Sequence, residues 1–577
     1  MTTKNNQSTL LKFNTELVLV FLILIATLAW ITHGTLEEVL GIMAYFLIGF
    51  LNVYPWIIPF IGIPMGILTI LEILTPNMYG FTLSLAHLNP SWMSIGWYWI
   101  ISVIGTIIGL VVSIMILSWL KHLLHKKKQP KINYALINCT IIDGNKNSAP
   151  IQNGVILIQN VVQEDNKENA GKISAVGKKG EITIPENYKR IELKGKYVLP
   201  GLINAHCHLT GSGKPTFLMK LSDKWMNRLV RMLDNALGKR LLKNMMKSNA
   251  QTALNAGVTT LKTMSDPLYM DLEVRDEIQE GKYIGPRLIC AGKAVCITGG
   301  HGGAMAFIAD SVPEIRKAIR RNLREKVDAI KLISTGGVMD AEKVGEAGRP
   351  QMTKKEISAA CFEAHRGNLL VSTHCESTQG IKEALEGGVD SIEHGADIKD
   401  DLVPLFKDNP KSLRGFTYIV PTISAGMGLA TLLKEVTKIT DIKKKNAIII
   451  EEGMIKGLQK AYREGLRIGV GTDASVPYSF HYQVWKELQY FTKYTDMDNQ
   501  EAIYYGTKNN AELIGIDDLT GSIEEGKYAD LQVVNDNPLD NIEALSKVEH
   551  VFIKGQFIKN PSVDRIKNLE EVKPLEL

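Results

Sequence analysis

The chain has 577 residues, with 66 Lys and Arg against 61 Asp and Glu, a formal net charge of +5, 22% charged residues and 45% hydrophobic ones. That balance is ordinary globular usage and argues against a collagen-like chain, a disordered one or a polycation built to bind nucleic acid. At roughly 150 residues per domain the length corresponds to about three to four domains, fewer if one is a barrel.

Charge is unevenly spread: residues 1–120 hold only Lys4, Lys12, Glu16, Glu37, Glu38 and Glu72. So apolar a stretch beside a richly charged remainder points to an all-α transmembrane region followed by an enzyme-sized globular part. Residues 17–31 are apolar apart from Thr27 and lack a small-residue cleavage site, which favours an anchor over a removed signal. Residues 39–74 are broken by Pro55, Pro59 and Pro64, the pattern of a helical hairpin, with Glu72 near its end. Residues 95–120 form the clearest span, with Trp97, Tyr98, Trp99 and Trp119 at its ends. About four spans are expected within residues 1–125, in contact with a lipid bilayer; three is the competing count. Lys4 and Lys12 before the first, and Lys121, Lys126, Lys127 and Lys128 after the last, predict a multi-pass protein of the cell membrane with a cytoplasmic catalytic domain. The six cysteines all follow this region, without a CxxC pair, and read as reduced thiols.

Beyond Pro130 the runs YALINCTII, GVILIQN and KISAVG read as short strands, and similar runs return at 530–535 and 551–558. They predict a small β-sandwich domain built from residues 131–197 and 515–565. Between them, strand candidates begin at Val198, Val258, Pro286, Asp328, Leu369, Ser391, Thr417 and Arg467, each followed by amphipathic sequence. Eight such units predict an α/β fold, a (β/α)8 TIM barrel over residues 198–514, with reactive groups at the carboxy ends of its strands.

The reactive residues fall at those ends. His206 and His208 close the first strand, Lys331 lies in the fourth, His374 and His394 close the fifth and sixth, and Asp473 closes the eighth. The two imidazoles of HxH share a face because side chains alternate, which suits metal ligation and equally suits hydrogen-bonded core histidines. Convergence from five strand ends favours the metal. Lys331 shares a face with Ala329 and Ile333 and points into the barrel, where an unpaired ammonium is costly. Either it pairs with an acid such as Asp473, or its neutral amine adds carbon dioxide and becomes a carbamate able to bridge two cations.

The strings LPGLINAHCHL, GVTTLKTMSD, GPRLICAGKAVCITGGHG, DAIKLISTGGV, THCES, SIEHG, GTDASVPY and GSIEEGKYADLQVV follow in order over roughly residues 132–560. In them the sequence resembles the amidohydrolase superfamily, most closely its imidazolonepropionase-like and Xaa-Pro dipeptidase-like members; nothing in the resemblance covers residues 1–125. The resemblance implies a binuclear metal-dependent hydrolase. His206, His208 and Asp473 would hold one divalent ion, His374 and His394 the second, and an N6-carboxylated Lys331 would bridge them. Zinc is the expected ion, with manganese, iron and cobalt as alternatives. A hydroxide shared by the two cations would attack, Asp473 would carry its proton to the departing amine, and His301 in GGHG would hydrogen-bond the oxyanion and contact the substrate. Tyr418 and Tyr478 are further candidates for the substrate pocket. Strand seven departs from the pattern: PTISAGMGLA has Ser424 and Gly426 where an aromatic residue is expected from dipeptidase-like relatives.

The function expected is hydrolysis of a C–N bond, in an amide, a peptide-like compound or a cyclic amide, by a membrane-anchored enzyme. Its substrate would be a small molecule or short peptide, with no nucleic-acid partner and the oligomeric state open. The alternatives are esterase or phosphoesterase chemistry on the same metals, and an inactive membrane-tethered binding module.

Overall fold

The computed structural model describes residues 132–161, 170–216, 223–566 and 569. The spans expected within residues 1–125 lie outside the described residues. Among the described residues no helix is long and apolar enough to cross a membrane.

The described chain opens with β1 (Asn133–Ile141), β2 (Ile151–Gln159), β3 (Lys172–Lys178), β4 (Tyr188–Glu192) and β5 (Tyr197–Pro200). Barrel strands follow: β6 (Leu202–Cys207), β7 (Val258–Thr263), β8 (Arg287–Cys290), β9 (Ala294–Cys296), β10 (Ala306–Ile308), β11 (Ile330–Ile333), β12 (Val371–Cys375), β13 (Ser391–His394) and β14 (Tyr418–Val420). The chain then returns through β15 (Leu531–Val534), β16 (Val548–Ile553) and β17 (Gln556–Lys559).

The terminal strands, expected as a sandwich, are hydrogen-bonded into one eight-stranded sheet. β1 makes this possible by pairing antiparallel with β2 on one edge and, on the other, parallel first with β4 and then with β5. β5 carries the ladder on to β15, β16 and β17, so strands from both ends of the globular part share one sheet. The sheet coils until its two arms close on a common core of Leu136, Ile141, Ile156, Ile158, Leu531, Val533 and Phe552. The Tyr134 ring reaches Phe552 across it at 5.9 Å. At about 1.5–3 kcal/mol per buried large apolar side chain, this core is what favours coiling over an open sheet.

The barrel strands are parallel, and all but β8 and β10 are buried along their whole length, as strands covered on both faces must be. Helices separate them. One example, Lys354–Arg366, starts on a capping box between Thr353 and Glu356 and buries Ile357, Ala360, Cys361 and Ala364. It packs between helices Val312–Arg324 and Thr378–Gly387.

Two of the eight expected strands differ from the sequence reading. The third is split into β8, paired with β7, and β9, paired with β11, because Gly292 between them takes a φ of +63°. The eighth, around residues 467–474, closes the ring without forming a regular ladder. Ile468 bridges Ile419, the Ala205 amide donates to the Val470 carbonyl at 2.9 Å, and Ala474 bridges Cys207. Gly471 lets this segment run against the first strand, since a Cβ there would sit 2.6 Å from the His206 Cβ.

Candidate active site

His206 is the fifth residue of β6, His208 lies just beyond that strand, His374 is the last residue but one of β12, and His394 ends β13. His394 and Asp473 both have left-handed backbones, φ +67° and +51°, which turn their side chains inward where the strands stop. The rings form a chain: His208 to His206 at 5.7 Å, His206 to His394 at 5.0 Å, His394 to His374 at 4.5 Å and His374 to His301 at 4.6 Å between centroids. Ligand atoms of His206, His394 and Asp473 converge on one point, and those of His374, Glu376 and His394 on a second.

Partners behind the rings fix their tautomers. The Glu393 carboxylate lies 2.7 Å from His206 Nδ1, and the Ser265 carbonyl 2.9 Å from His208 Nδ1. Both partners only accept, so each imidazole donates from Nδ1 and turns a lone pair outward from Nε2. Those two Nε2 atoms stand 3.4 and 3.1 Å from the same Asp473 oxygen, Oδ1. Neither His206 Nε2 nor Asp473 Oδ1 has a hydrogen-bond partner, although both are buried. Two lone pairs aimed at a buried anion repel unless a proton or a cation lies among them. Burial opposes charge on His208, but the Asp473 carboxylate outweighs it and raises its pKa, the mark of a place that favours positive charge. Burial likewise opposes ionisation of Asp473, and His206 and His208 hold its pKa well below the usual carboxylate range. A divalent cation supplies the same positive charge with the geometry that imidazole and carboxylate ligands prefer, so the donor set fits one.

The second cluster is neutral by burial. Desolvation, then the charges of neighbouring histidines, press the pKa values of His374 and His394 well below the ordinary value, which keeps their lone pairs free. His374 Nε2 faces the Gly336 carbonyl at 3.4 Å and His394 Nδ1 faces Thr422 Oγ1 at 2.7 Å, leaving the other nitrogen of each ring for a cation. Glu376, two residues beyond His374, comes within 3.8 Å of it, and burial pushes its pKa up to about 8.

Lys331 is buried in β11, and among the described residues no carboxylate stands within ion-pair distance of it. The ion pair with Asp473 is therefore not formed. Burial lowers the Lys331 pKa to about 8 against the pull of the Glu393 and Asp473 carboxylates. A second buried lysine, Lys262 in β7, donates to Ser372 Oγ at 2.8 Å. Ser391 Oγ stands 2.8 Å from Ser372 Oγ and 2.6 Å from Glu393 Oε1, completing a hydrogen-bonded chain from Lys262 to His206. Burial opposes the Glu393 charge, yet the His206 hydrogen bond and the two lysines hold its pKa at about 2.

His301 lies on the loop between β9 and β10, against Gly337, where a Cβ would stand 2.6 Å from the imidazole. Its Nδ1 pairs with Asp340, and its amide donates to Gln351 at 3.0 Å. Burial disfavours an imidazolium there, but the Asp340 carboxylate outweighs it and raises the His301 pKa. The two tyrosines fare differently. Tyr418 begins β14, opposite Ser391 rather than His394, and packs on Phe416 at 5.8 Å beneath Arg467. It therefore belongs to the amino-terminal end of the barrel and does not line the site. Tyr478 follows Asp473 on the same loop, but its hydroxyl donates to the Val436 carbonyl at 3.0 Å, so a substrate would meet a ring and no hydroxyl. Ser424, in the departure noted at strand seven, donates to the buried Glu487 carboxylate and is likewise engaged.

Glu393, Lys262, Asp340 and Glu376 were not singled out in the sequence. Two left signals: Glu376 is two residues from His374 and so shares its face, and Lys262 is, like Lys331, a lysine inside a barrel-strand candidate.

A buried His/Asp cluster at the carboxy ends of barrel strands defines a hydrolase-type site, and the comparisons assign its family. Residues 197–558 match the Amidohydrolase family, and the chain belongs to it. It is a hydrolase acting on carbon–nitrogen bonds, in a family that is typically metal-dependent. A candidate prolidase from Bifidobacterium longum is 35% identical, with a TM-score of 0.66 over 77% of this chain and 98% of that one. A Xaa-Pro dipeptidase with methionine in its active site is 28% identical, with a TM-score of 0.61 over 74% of this chain and 100% of that one. Ochratoxinase from Aspergillus niger is 26% identical over 451 residues, 72% of this chain and 84% of that enzyme.

Proposed function

We propose that the protein is a membrane-anchored, binuclear metal-dependent amidohydrolase that cleaves a small amide, peptide-like or cyclic amide bond. The observation that carries this reading is the pair of Nε2 lone pairs, from His206 and His208, facing Asp473 Oδ1 at 3.4 and 3.1 Å. When bound, two divalent ions, zinc foremost, would polarise the scissile carbonyl and lower the proton affinity of the attacking water. His206, His208 and Asp473 would hold one, and His374 and His394 the other.

The remaining steps belong to the chain's own side chains. Lys331, whose pKa burial lowers to about 8 so that its amine gives up a proton more readily, would add carbon dioxide at Nζ, release one proton and become an anionic carbamate, a further ligand able to hold the ions. Asp473, kept ionised, would take the proton of the attacking water and deliver it to the departing nitrogen. His301, held by Asp340 as a donor, would hydrogen-bond the oxygen on which negative charge develops. The Glu393, Ser265, Thr422 and Gly336 contacts fix each imidazole so that no reorientation accompanies binding.

The prolidase, Xaa-Pro dipeptidase and ochratoxinase relatives make dipeptides and N-acylated amino acids the first panel to test. Hydrolysis lost on chelation and restored by zinc or manganese supports the reading; equal turnover before and after chelation overturns it. The apolar residues 1–125 would anchor the enzyme with its barrel in the cytoplasm. A Lys127→Cys variant should then resist an impermeant thiol reagent in intact cells, and ready labelling contradicts that orientation.

A further inference from the structure

Two helices, Asp223–Leu233 and Ala236–Asn255, follow the first barrel strand. One face of the second buries Leu242, Met246, Ala250, Ala253 and Leu254 in the barrel core. The hairpin also leaves large apolar side chains in the open: Trp225 is 56% exposed, Met232 72%, Leu237 68%, Leu241 58% and Met245 41%. Leu237, Leu241 and Met245 recur at every fourth residue and so stand in one row. A helix needs one apolar face to sit on a barrel; this one has a second, which no described residue covers.

The row is rimmed by positive charge. Residues 223–247 contain seven Lys or Arg and two Asp; Lys239 pairs with Asp234, and Lys243 and Lys247 pair with Glu273 and Glu277 of the neighbouring helix, which leaves the face net positive. The Arg228 guanidinium lies 4.6 Å over the Trp225 ring, and Arg231 closes the first helix. Charge complementarity selects the occupant. A second copy of the same face would bring two net-positive surfaces together. Residues 1–120 offer four carboxylates scattered through long apolar runs. Anionic phospholipid matches both halves of the pattern: acyl chains for the leucines and methionines, phosphates for the Lys and Arg, and an interface that favours tryptophan. The place matters as well. Helix Asp223–Leu233 packs on the Gly303–Met305 turn, directly beyond the loop residue His301.

We propose that this hairpin docks on an anionic phospholipid surface, seating Trp225, Met232, Leu237, Leu241 and Met245 in the headgroup layer and bringing the His301 loop up to the bilayer. The choice of lipid rests on the membrane reading of residues 1–125, and alkaline carbonate extraction of the full chain tests that reading separately.

All six native cysteines are buried, so a Leu241→Cys variant of the full chain takes a fluorophore at one place. The probe is a vesicle of phosphatidylcholine with phosphatidylglycerol, part of it carrying a nitroxide near the headgroup. Quenching of about twofold at Leu241→Cys, none at an exposed Lys179→Cys control on the terminal sheet, and recovery when Leu237→Glu is added support docking. An unquenched Leu241 label overturns it, even if carbonate leaves the chain in the membrane. Cross-linking of two Leu241→Cys chains to each other, or protection of the label without vesicles, also overturns it, assigning the face to a second copy or to the chain's own amino-terminal region.

Discussion

Replacing Glu393 by Gln tests the polar support beneath the site with a change of one atom. The carboxylate takes the His206 Nδ1 proton at 2.7 Å on one oxygen and the Ser391 hydroxyl at 2.6 Å on the other. Glutamine offers one acceptor oxygen and one amide nitrogen, so it satisfies only one of these donors. If the amide nitrogen turns to His206, that ring's proton moves to Nε2, the atom 3.4 Å from Asp473 Oδ1 where a lone pair is required. If it turns to Ser391, that hydroxyl must accept from the amide and give its own proton to Ser372, and in either orientation the negative charge facing His206 and Lys262 is gone. Loss of a partner that orients a ligand lowers metal affinity about 10- to 100-fold, or about 1.4–2.8 kcal/mol. Competition titration against a chromophoric chelator should show one of the two cations weakened by that factor and the other nearly unchanged, with kcat/KM falling in parallel. Unchanged affinity at both sites would refute the reasoning, because His206 would then ligate without Glu393 or would not ligate at all.

Other outcomes follow from the same geometry. Lys331→Ala should remove most bound metal and activity by elemental analysis and turnover, and added short carboxylates should restore part of both; full activity without them contradicts the bridging carbamate. In Asp340→Asn the sign of the pH effect is fixed: Asp340 raises the His301 pKa, and the donor is lost as pH rises through that value. Removing the carboxylate should therefore move the alkaline limb of the kcat/KM profile to lower pH, and an unmoved limb argues against His301 as the donor. Gly471→Ala places a methyl 2.6 Å from His206 Cβ and 2.7 Å from Val420 Cγ1. The overpacking should cost about 1–3 kcal/mol in denaturant unfolding and depress activity further through His206; a variant as stable and active as the parent contradicts the close approach.

How much of this was legible in the sequence depends on whether a local rule held. Strand periodicity and strand-end histidines placed His206, His374 and His394, because regular strands carry their side chains predictably to the barrel's carboxy end. Glu393 escaped notice since alternation sends the neighbour of His394 to the other face. The left-handed turn at His394 breaks that alternation, so both side chains serve the site. Asp340 and Ser265 approach from distant loops, and no spacing announces them. Tyr418 is a candidate for the pocket in the sequence, but register settles its position: it pairs with Ser391 at the start of β13, three residues short of His394. The split third strand turns on Gly292, whose conformational freedom a run of apolar residues conceals. The continuous terminal sheet arises from β1 sharing one edge between β4 and β5, a tertiary choice with no local signature.

The central claim is best tested by anomalous diffraction from crystals of the full chain, recorded on either side of the zinc absorption edge. Two peaks are expected, one among His206, His208 and Asp473 and the other beside His374 and His394, with extra density on Lys331 Nζ reaching both. A map without either peak, in crystals grown with ample zinc and carbon dioxide, would contradict the account and leave a barrel whose histidines serve only its packing.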